Sequence, residues 1–273
     1  MLQSLSFHLG LSRKGQLMTS AATSILECRN VSRHYGALAA VDGIDLKIGA
    51  GEAVGIGGPN GAGKTTFFDL ISGLTAVSGG QVLFDGQPIT GIAPHKLFHK
   101  GMARTFQITS GFGSLTVMEN ILTSVVNGSG REAAGVLFKK SHLETAMHIL
   151  DTYGLADIAQ QMVSDIPVLD RKKLMVASAV VHKPKILLLD EPVGGLMHGE
   201  IDEFIELMHR LKGHGMTIVF IEHVMRFLTT VADRALIMHQ GKLIYDGQPA
   251  DIAKDELVES VYLGSAAEIL EIV

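Results

Sequence analysis

Apolar and polar residues alternate in the first third of the chain, as they do in strands that bury one face. Ile25–Val31 and Val41–Ile48 show this period of two, and a turn is predicted between them at Tyr35-Gly36. Gln81–Phe84 is a further short strand, and the Asp85-Gly86 pair after it is typical of a tight turn. The pattern therefore predicts a β region whose strands are joined by tight turns.

Later strands are predicted from short continuous apolar runs, which are typical of parallel strands buried on both faces. Lys185–Leu189 and Thr217–Ile221 are two such runs, and Glu52–Ile56 is a third strand-like segment. Arg234–His239 and Lys242–Tyr245 flank a Gln-Gly pair and form a predicted hairpin. These segments predict a second group of strands that contains buried parallel members.

Helical patterns dominate the middle of the chain, from about Pro94 to Ala179. Four helices are predicted. Three lie largely in this middle segment: Thr116–Val126, Asp170–Val181 and one that begins at a capping box, Ser141-His142-Leu143-Glu144, and runs to about Tyr153. The fourth, Gly199–Leu211, follows it. Because strands precede and follow it, we interpret the segment at about 95–179 as a helical insertion in one sheet. We expect residues 1–24 to be an extension, either a disordered tail or a stretch upstream of a true start at Met18.

Composition narrows the class of protein. The chain has 273 residues, of which 47% are hydrophobic, and a formal net charge of −5, which argues against general electrostatic binding of nucleic acid. Cys28 is the one cysteine of the sequence, so no internal disulfide can form and a reducing cytoplasm fits. No uninterrupted apolar stretch approaches the roughly 20 residues that span a bilayer. A membrane role would therefore come through a partner.

A phosphate-binding loop follows the strand-like segment Glu52–Ile56. The sequence Gly58-Pro59-Asn60-Gly61-Ala62-Gly63-Lys64-Thr65-Thr66 matches G-x-x-x-x-G-K-[ST] and opens into a helical pattern. Its glycines let the backbone wrap around phosphates, and its amides and the helix N-terminus face the anion. We expect Lys64 to reach the β- and γ-phosphates of a nucleoside triphosphate and Thr65 to bind Mg²⁺. A chance Gly-rich turn does not explain this agreement of motif and context.

Two acidic residues follow the apolar run Ile186–Leu189. Asp190 and Glu191 would lie at the carboxyl edge of a buried strand, where open α/β sheets bind ligands. Asp190 can hold Mg²⁺ through water, and Glu191 can act as the general base that polarises attacking water. An acidic loop after a strand is common by itself, but its combination with a phosphate loop favours catalysis.

Two further candidates are weaker when taken alone. His223 lies two residues after Thr217–Ile221, where an imidazole can hydrogen-bond a γ-phosphate, and none of the other eleven of the 12 histidines has such an argument. Gln107 follows Arg104-Thr105-Phe106 at the start of the helical insertion and would otherwise be interpreted as a loop residue.

These motifs in this order resemble the ATP-binding-cassette (ABC) ATPase family from Ile25 to Gly264. The resemblance implies an α/β P-loop NTPase fold with a mixed sheet core, an antiparallel β part and a helical subdomain. It implies that Tyr35 stacks on adenine, that Gly58–Thr66 is the Walker A motif and that Gln107 belongs to the Q-loop, where it contacts ATP and Mg²⁺. Ile186–Asp190 would be the Walker B strand, Glu191 the catalytic glutamate and His223 the switch histidine.

Within the family, the chain is most similar to the ATP-binding subunits of branched-chain amino acid importers, and urea or amide importers share much of the pattern. Arg104-Thr105-Phe106-Gln107, Leu115–Asn120 and Asp190–Leu196 carry this likeness. It implies transmembrane permease subunits and a second ATPase subunit as partners, and a periplasmic solute-binding protein as an indirect one. The implied location is the cytoplasmic face of the membrane, as a peripheral subunit.

The chain departs from the family where a signature close to L-S-G-G-Q is usual. Ile166-Pro167-Val168-Leu169-Asp170 stands there, and Met197-His198 replaces a polar residue and proline. Leu169 occupies a position where glycine lets the backbone approach phosphate. Asp170 suits a helix N-terminus but repels phosphate. We therefore expect weak activity as a homodimer and pairing with a distinct cassette whose signature is intact.

Two functional hypotheses remain at this point, and a third possibility is disfavoured. The first is an importer ATPase, which Glu191 and His223 favour. The second is a regulatory or structural nucleotide-binding subunit with little hydrolysis, which the altered signature favours. The third, a non-transport cassette protein, usually has two cassettes or a long coiled-coil insertion, and neither is present in this sequence.

Overall fold

The protein is described by a computed structural model that covers residues 24–106, 111–127 and 138–263. Ten strands run in chain order through this part: β1 Ser24–Tyr35, β2 Leu38–Gly49, β3 Ala53–Gly57, β4 Gly79–Phe84, β5 Gln87–Pro88, β6 Met102–Arg104, β7 Ile186–Asp190, β8 Thr217–Ile221, β9 Arg234–His239 and β10 Lys242–Gly247. The eight α-helices are α1 Lys64–Ile71, α2 Pro94–Lys100, α3 Val117–Asn127, α4 Lys140–Thr152, α5 Val168–Val180, α6 His198–Gly213, α7 Met225–Val231 and α8 Glu256–Leu263. Short 3₁₀ helices lie at Ala156–Ile158 and Pro249–Lys254.

The strands form two sheets. The antiparallel sheet has the order β2-β1-β4-β5, and the larger sheet has the order β10-β9-β3-β8-β7-β6. In the larger sheet β6, β7, β8, β3 and β9 pair in parallel, and β10 pairs antiparallel with β9. Every residue of β3, β7 and β8 is buried, as expected for parallel strands that are covered on both faces.

Two hydrophobic clusters cover the two faces of the larger sheet. One contains apolar residues of α3 to α7, and the other contains those of α1 and the antiparallel sheet. The predicted α/β class, with a mixed sheet, an antiparallel β part and a group of helices, is confirmed. None of the helices in the described ranges is both long and apolar enough to cross a bilayer.

Several element boundaries differ from the sequence prediction. The capping box predicted to begin at Ser141 is wrong, because α4 begins at Lys140 and Ser141 lies inside it. α5 begins at Val168, two residues before the predicted start. The strand β6 was not predicted, yet it lies within the segment interpreted as helical and pairs with β7. Three residues are too few for a periodic signal.

Adjacent parallel strands bring the site together. β3, β8 and β7 are neighbours in one sheet, so their carboxyl ends at Gly57, Ile221 and Asp190 share one edge. The segment after β3 is the phosphate loop, and Glu191 and His223 follow the other two strands. This edge is where open α/β sheets bind ligands.

Candidate nucleotide-binding site

The phosphate loop, residues 58–63, joins β3 to α1 and packs against backbone from both sheets. Gly58 has φ +138°, and a Cβ there would lie 2.2 Å from the Met238 carbonyl oxygen. Gly63 has φ +99°, and its Cβ would lie 2.2 Å from the Ala40 carbonyl oxygen. Both positions therefore require glycine, as the sequence motif indicates.

The turn between β9 and β10 also holds this loop. The Gly241 amide donates to the Ala62 carbonyl at 2.9 Å, and the Gly241 carbonyl accepts from the Asp42 amide at 2.9 Å. One turn residue thus links the loop to the antiparallel sheet. The loop backbone is fixed by tertiary contacts on both sides.

Lys64, the first residue of α1, lies over the loop. Its Nζ donates to the carbonyl oxygens of Gly58 and Pro59, at 3.0 Å for Pro59. The helix N-terminus behind it has Gly63 as its cap residue and no acidic side chain in its first turn. The ammonium group and the amide dipoles therefore act on the same anion position.

A cavity of about 620 Å³ lies at the phosphate loop. Its lining includes Tyr35, Leu38, residues 60–66, Glu191 and Gly241. The volume is in the range of small-molecule sites, and the cradle of glycines fits a phosphate chain. The cavity thus brings together Tyr35, most of the loop and the proposed base.

Tyr35 lies at the outer end of this cavity, at the end of β1. The residue is 48% exposed, and the Arg33 guanidinium carbon lies 4.6 Å from the centroid of its ring. A ring with one face covered by a cation and substantial exposure can stack on a planar base. The position is compatible with the role that the family resemblance implies.

Asp190 ends β7 and forms a buried ion pair that the sequence did not reveal. Arg104 Nη2, at the end of β6, donates to Asp190 Oδ2 at 3.0 Å, and the two side chains are 8% and 7% exposed. Burial raises the pKa of Asp190, and the Arg104 charge opposes this rise. Arg104 Nη1 also donates to Asp69 Oδ1 and to Ser72 Oγ, both at 2.7 Å.

Asp190 and Thr65 carry oxygen atoms of the kinds that Mg²⁺ prefers. A carboxylate and a hydroxyl are the donor types that this cation uses, together with water and substrate phosphates. Thr65 follows Lys64 on the first turn of α1, and Asp190 ends the strand beside β8. The donor chemistry agrees with a magnesium ion held jointly with a nucleotide.

Glu191 has an unusual backbone conformation. Its φ is +47°, and its amide donates to the Ile221 carbonyl at 3.0 Å, so that β8 fixes its backbone. A non-glycine residue with positive φ is uncommon and is concentrated at functional sites. Glu191 is among the residues that line the same cavity as Lys64.

His223 lies at the same sheet edge but is not among the residues that line this cavity in the described part of the chain. It is 58% exposed at its side chain, and its Nδ1 is 3.6 Å from Glu222 Oε2. Glu222, which the sequence analysis passed over, is fully buried. The sequence signal that could have revealed this buried carboxylate was an acidic residue directly after the apolar strand that ends at Ile221.

Gln107, predicted to contact ATP and Mg²⁺, lies outside the described residues. The described chain reaches Phe106, two residues after β6, and Thr105 donates its amide to the Leu188 carbonyl at 2.9 Å. β6 therefore directs the chain to the carboxyl edge of the sheet immediately before Gln107.

The altered signature lies at the start of α5, with Pro167 as the cap residue. The Leu169 side chain is 7% exposed and packs in the core, so it does not cover the surface that a facing nucleotide would approach. Val168 is 38% exposed, and Asp170 lies 3.7 Å from Lys173 Nζ. Whether a non-glycine residue at Leu169 keeps the backbone away from a facing phosphate stays a prediction, and the carboxylate of Asp170 lies at the helix start.

Comparison with known proteins gives a consistent result. The sequence profile of the ABC transporter family matches residues 41–194. The chain is 33% identical to the high-affinity branched-chain amino acid transport ATP-binding protein BraF of Pseudomonas aeruginosa, over 89% of this chain and 98% of that protein. It is 30% identical to the lipopolysaccharide export system ATP-binding protein LptB of Haemophilus influenzae, over 88% and 98%.

A solved structure, the ADP conformation of an ATP-binding cassette of an ABC transporter, superimposes with a TM-score of 0.80 at 26% identity. The match covers 88% of this chain and 99% of that one. The likeness therefore extends over nearly all of the sheets and helices described above.

Proposed function

Because the chain belongs to the ABC transporter family of ATP-binding proteins, we propose that it binds MgATP at the phosphate loop and hydrolyses it to drive a membrane importer. The observation that carries the proposal is the shared cavity of about 620 Å³, which Lys64 and Glu191 line together. A phosphate-binding cation and a carboxylate beside one anion position are the parts that phosphoryl transfer to water needs.

The proposed roles follow from the positions of the residues. The amides of residues 60–66 and the Lys64 ammonium bind and orient the phosphates, and Tyr35 stacks on the adenine. Glu191 takes a proton from the attacking water, since this residue lines the cavity beside the phosphate loop. His223, at the end of β8, donates a hydrogen bond toward the γ-phosphate.

Magnesium, when bound, neutralises charge on the phosphate oxygens. In the proposed site Thr65 and Asp190 would hold it, with Gln107 as a third candidate ligand. Arg104 keeps the Asp190 carboxylate in place from the β6 side, through a contact of 3.0 Å.

ATP-binding proteins of this family work with transmembrane permease subunits, and we propose that this chain does so at the cytoplasmic face of the membrane. The name of BraF favours branched-chain amino acids as the solute, and urea or amides remain alternatives. The similarity to LptB, named for lipopolysaccharide export, shows that sequence likeness alone does not choose the cargo.

A second candidate function is a low-activity cassette that pairs with a catalytically intact partner. The exposed Val168 and the Asp170 carboxylate at the start of α5 favour it, because a like charge weakens binding of a facing phosphate. In such a heterodimer this chain's Lys64 and Glu191 act on one ATP, while its own signature serves the other ATP poorly.

The test combines binding and transport. Calorimetric titration of the full chain with a non-hydrolysable ATP analogue and Mg²⁺ should show saturable binding. Proteoliposomes with its permeases should then take up labelled leucine, isoleucine or valine in the presence of ATP. Absence of nucleotide binding would overturn the proposal, and uptake of urea alone would correct the solute.

A further inference from the structure

Glu222 is a fully buried carboxylate between β8 and His223. Its Oε1 accepts a hydrogen bond from the Val193 amide at 3.1 Å. Its Oε2 accepts from the amides of His223 at 2.8 Å and Val224 at 3.0 Å. A buried carboxylate persists only when such donors compensate for lost water, and charge-assisted bonds of this kind are strong.

These three bonds join two separate segments of the chain. Val193 lies two residues after Glu191, the proposed base, and His223 is the proposed γ-phosphate contact. One side chain therefore fixes the backbone beside both catalytic candidates. The Glu191 amide is bonded to the Ile221 carbonyl at 3.0 Å, which adds a fourth link between the same segments.

Lys172 extends this arrangement to α5, the helix that carries the altered signature. Its side chain is buried, and its Nζ donates to the Glu191 carbonyl oxygen at 3.2 Å. Burial lowers the pKa of Lys172, and the carboxylates of Glu222 and Glu191 oppose this change. The lysine thus contacts the backbone of the proposed base from α5.

We propose that Glu222 and Lys172 are positioning residues for hydrolysis, which hold the backbone of Glu191, Val193 and His223 as one unit attached to α5. This inference rests on the proposed function for its catalytic part. Its consequence is that a shift of α5 relative to the sheet alters the position of the base and of the histidine together.

Glu222→Gln is the informative substitution because it keeps the shape and removes one acceptor. One of the two oxygens becomes an NH₂ group, so either the Val193 amide or the pair at residues 223–224 loses its partner. We expect kcat to fall about tenfold to hundredfold, the range for one charge-assisted hydrogen bond. The affinity for a non-hydrolysable ATP analogue should stay within about twofold, since no contact of the phosphate loop changes.

Amide hydrogen exchange provides a readout that does not depend on activity. In Glu222→Gln, exchange should become faster in the segment at 193–196 as well as at 223–224, because the uncharged amide oxygen that remains is a weaker acceptor than a carboxylate oxygen and the two segments move as one unit. A purely local role of Glu222 would change exchange only at its sequence neighbours. Faster exchange confined to residues 223–224, or wild-type kcat in the folded variant, would overturn the proposal.

A second variant and a control complete the design. Lys172→Met keeps the length of the side chain and removes the donor to the Glu191 carbonyl oxygen. It should lower kcat and speed amide exchange at residues 191–193. If Glu222→Gln fails to fold, wild-type kcat and exchange in Lys172→Met would overturn the proposal. The matched control is Glu206→Gln on the exposed face of α6, which should leave both readouts unchanged. If the wild-type chain binds no ATP, the proposed function fails. Exchange at residues 193–196 in Glu222→Gln still decides whether Glu222 holds the two backbone segments together.

Discussion

The Arg104 guanidinium donates to the Asp190 carboxylate at 3.0 Å, and both side chains are more than nine-tenths buried. The same guanidinium contacts Asp69 on α1 at 2.7 Å. The proposed magnesium ligand on β7 is therefore connected through one side chain to the helix that follows the phosphate loop.

Loss of this arginine should destabilise the chain. Arg104→Gln leaves the buried Asp190 carboxylate without its cation, which costs about 3–5 kcal/mol of unfolding free energy. Arg104→Lys should recover only part of this loss, because a lysine cannot reach Asp69 and Asp190 with two separate nitrogens. Urea denaturation of the three proteins measures the effect, and equal midpoints would show that the buried pair contributes nothing.

Replacing Lys64 by Ala should weaken nucleotide binding. The change removes the cation opposite the β- and γ-phosphates, and we expect at least a tenfold loss of affinity, from about 1.5–3 kcal/mol per charged hydrogen bond. Calorimetric titration with a non-hydrolysable analogue measures it. Unchanged binding would refute the role assigned to Lys64.

Glu191→Gln should separate binding from hydrolysis. The amide keeps the shape of the side chain but cannot take a proton from water, so turnover in the assembled transporter should fall by ~10²–10⁴. Analogue binding should persist. Near-normal phosphate release by the variant would place the base elsewhere.

The signature at the start of α5 predicts slow hydrolysis by the purified chain alone. Leu169→Gly combined with Asp170→Gln should raise that rate, although the buried Leu169 side chain makes this a costly change of about 2–5 kcal/mol in stability. Asp170→Gln alone is therefore the better test, because it removes the charge from a partly exposed position 3.7 Å from Lys173. Fast turnover by the unmodified homodimer, with no gain in either variant, would make the altered signature neutral.

Cys28 should be unreactive in the folded chain. Burial raises the pKa of its thiol to about 12, so the nucleophilic thiolate is scarce at pH 8 and forms only as the pH approaches that value. We expect iodoacetamide to label the native protein slowly and the protein in urea rapidly. Equal labelling rates, followed by mass spectrometry, would contradict the burial of this residue.

The sequence predicted those parts of the structure that depend on local pattern. Thr217–Ile221 and Arg234–His239 have the predicted bounds, because their apolar runs end at polar or turn residues. The phosphate loop was recognised because its glycines are required by its own backbone. The pairing of Arg104 with Asp190 was not, since the two residues are 86 positions apart and nothing local signals their contact.

The same distinction applies to Glu222 and Leu169. Glu222 stood beside His223 in sequence, but its bond to Val193 spans 29 positions and arises only when β7 and β8 pair. Leu169 stands where the family pattern has glycine, and the sequence did not show the direction of its side chain, which depends on which face of α5 the core covers. Helix start and packing decided that direction.

The phosphate loop is packed between the backbones of the two sheets, and this has a consequence for its ligand. Gly58 packs against the Met238 carbonyl of the larger sheet and Gly63 against the Ala40 carbonyl of the antiparallel sheet. A loop held in this way has few alternative shapes to give up, so little conformational entropy is lost when a phosphate chain enters. Most of the interaction energy between the loop and the phosphates then contributes to affinity. Because each sheet contacts the loop, a rotation of one sheet against the other would also move the loop amides that bind the phosphates.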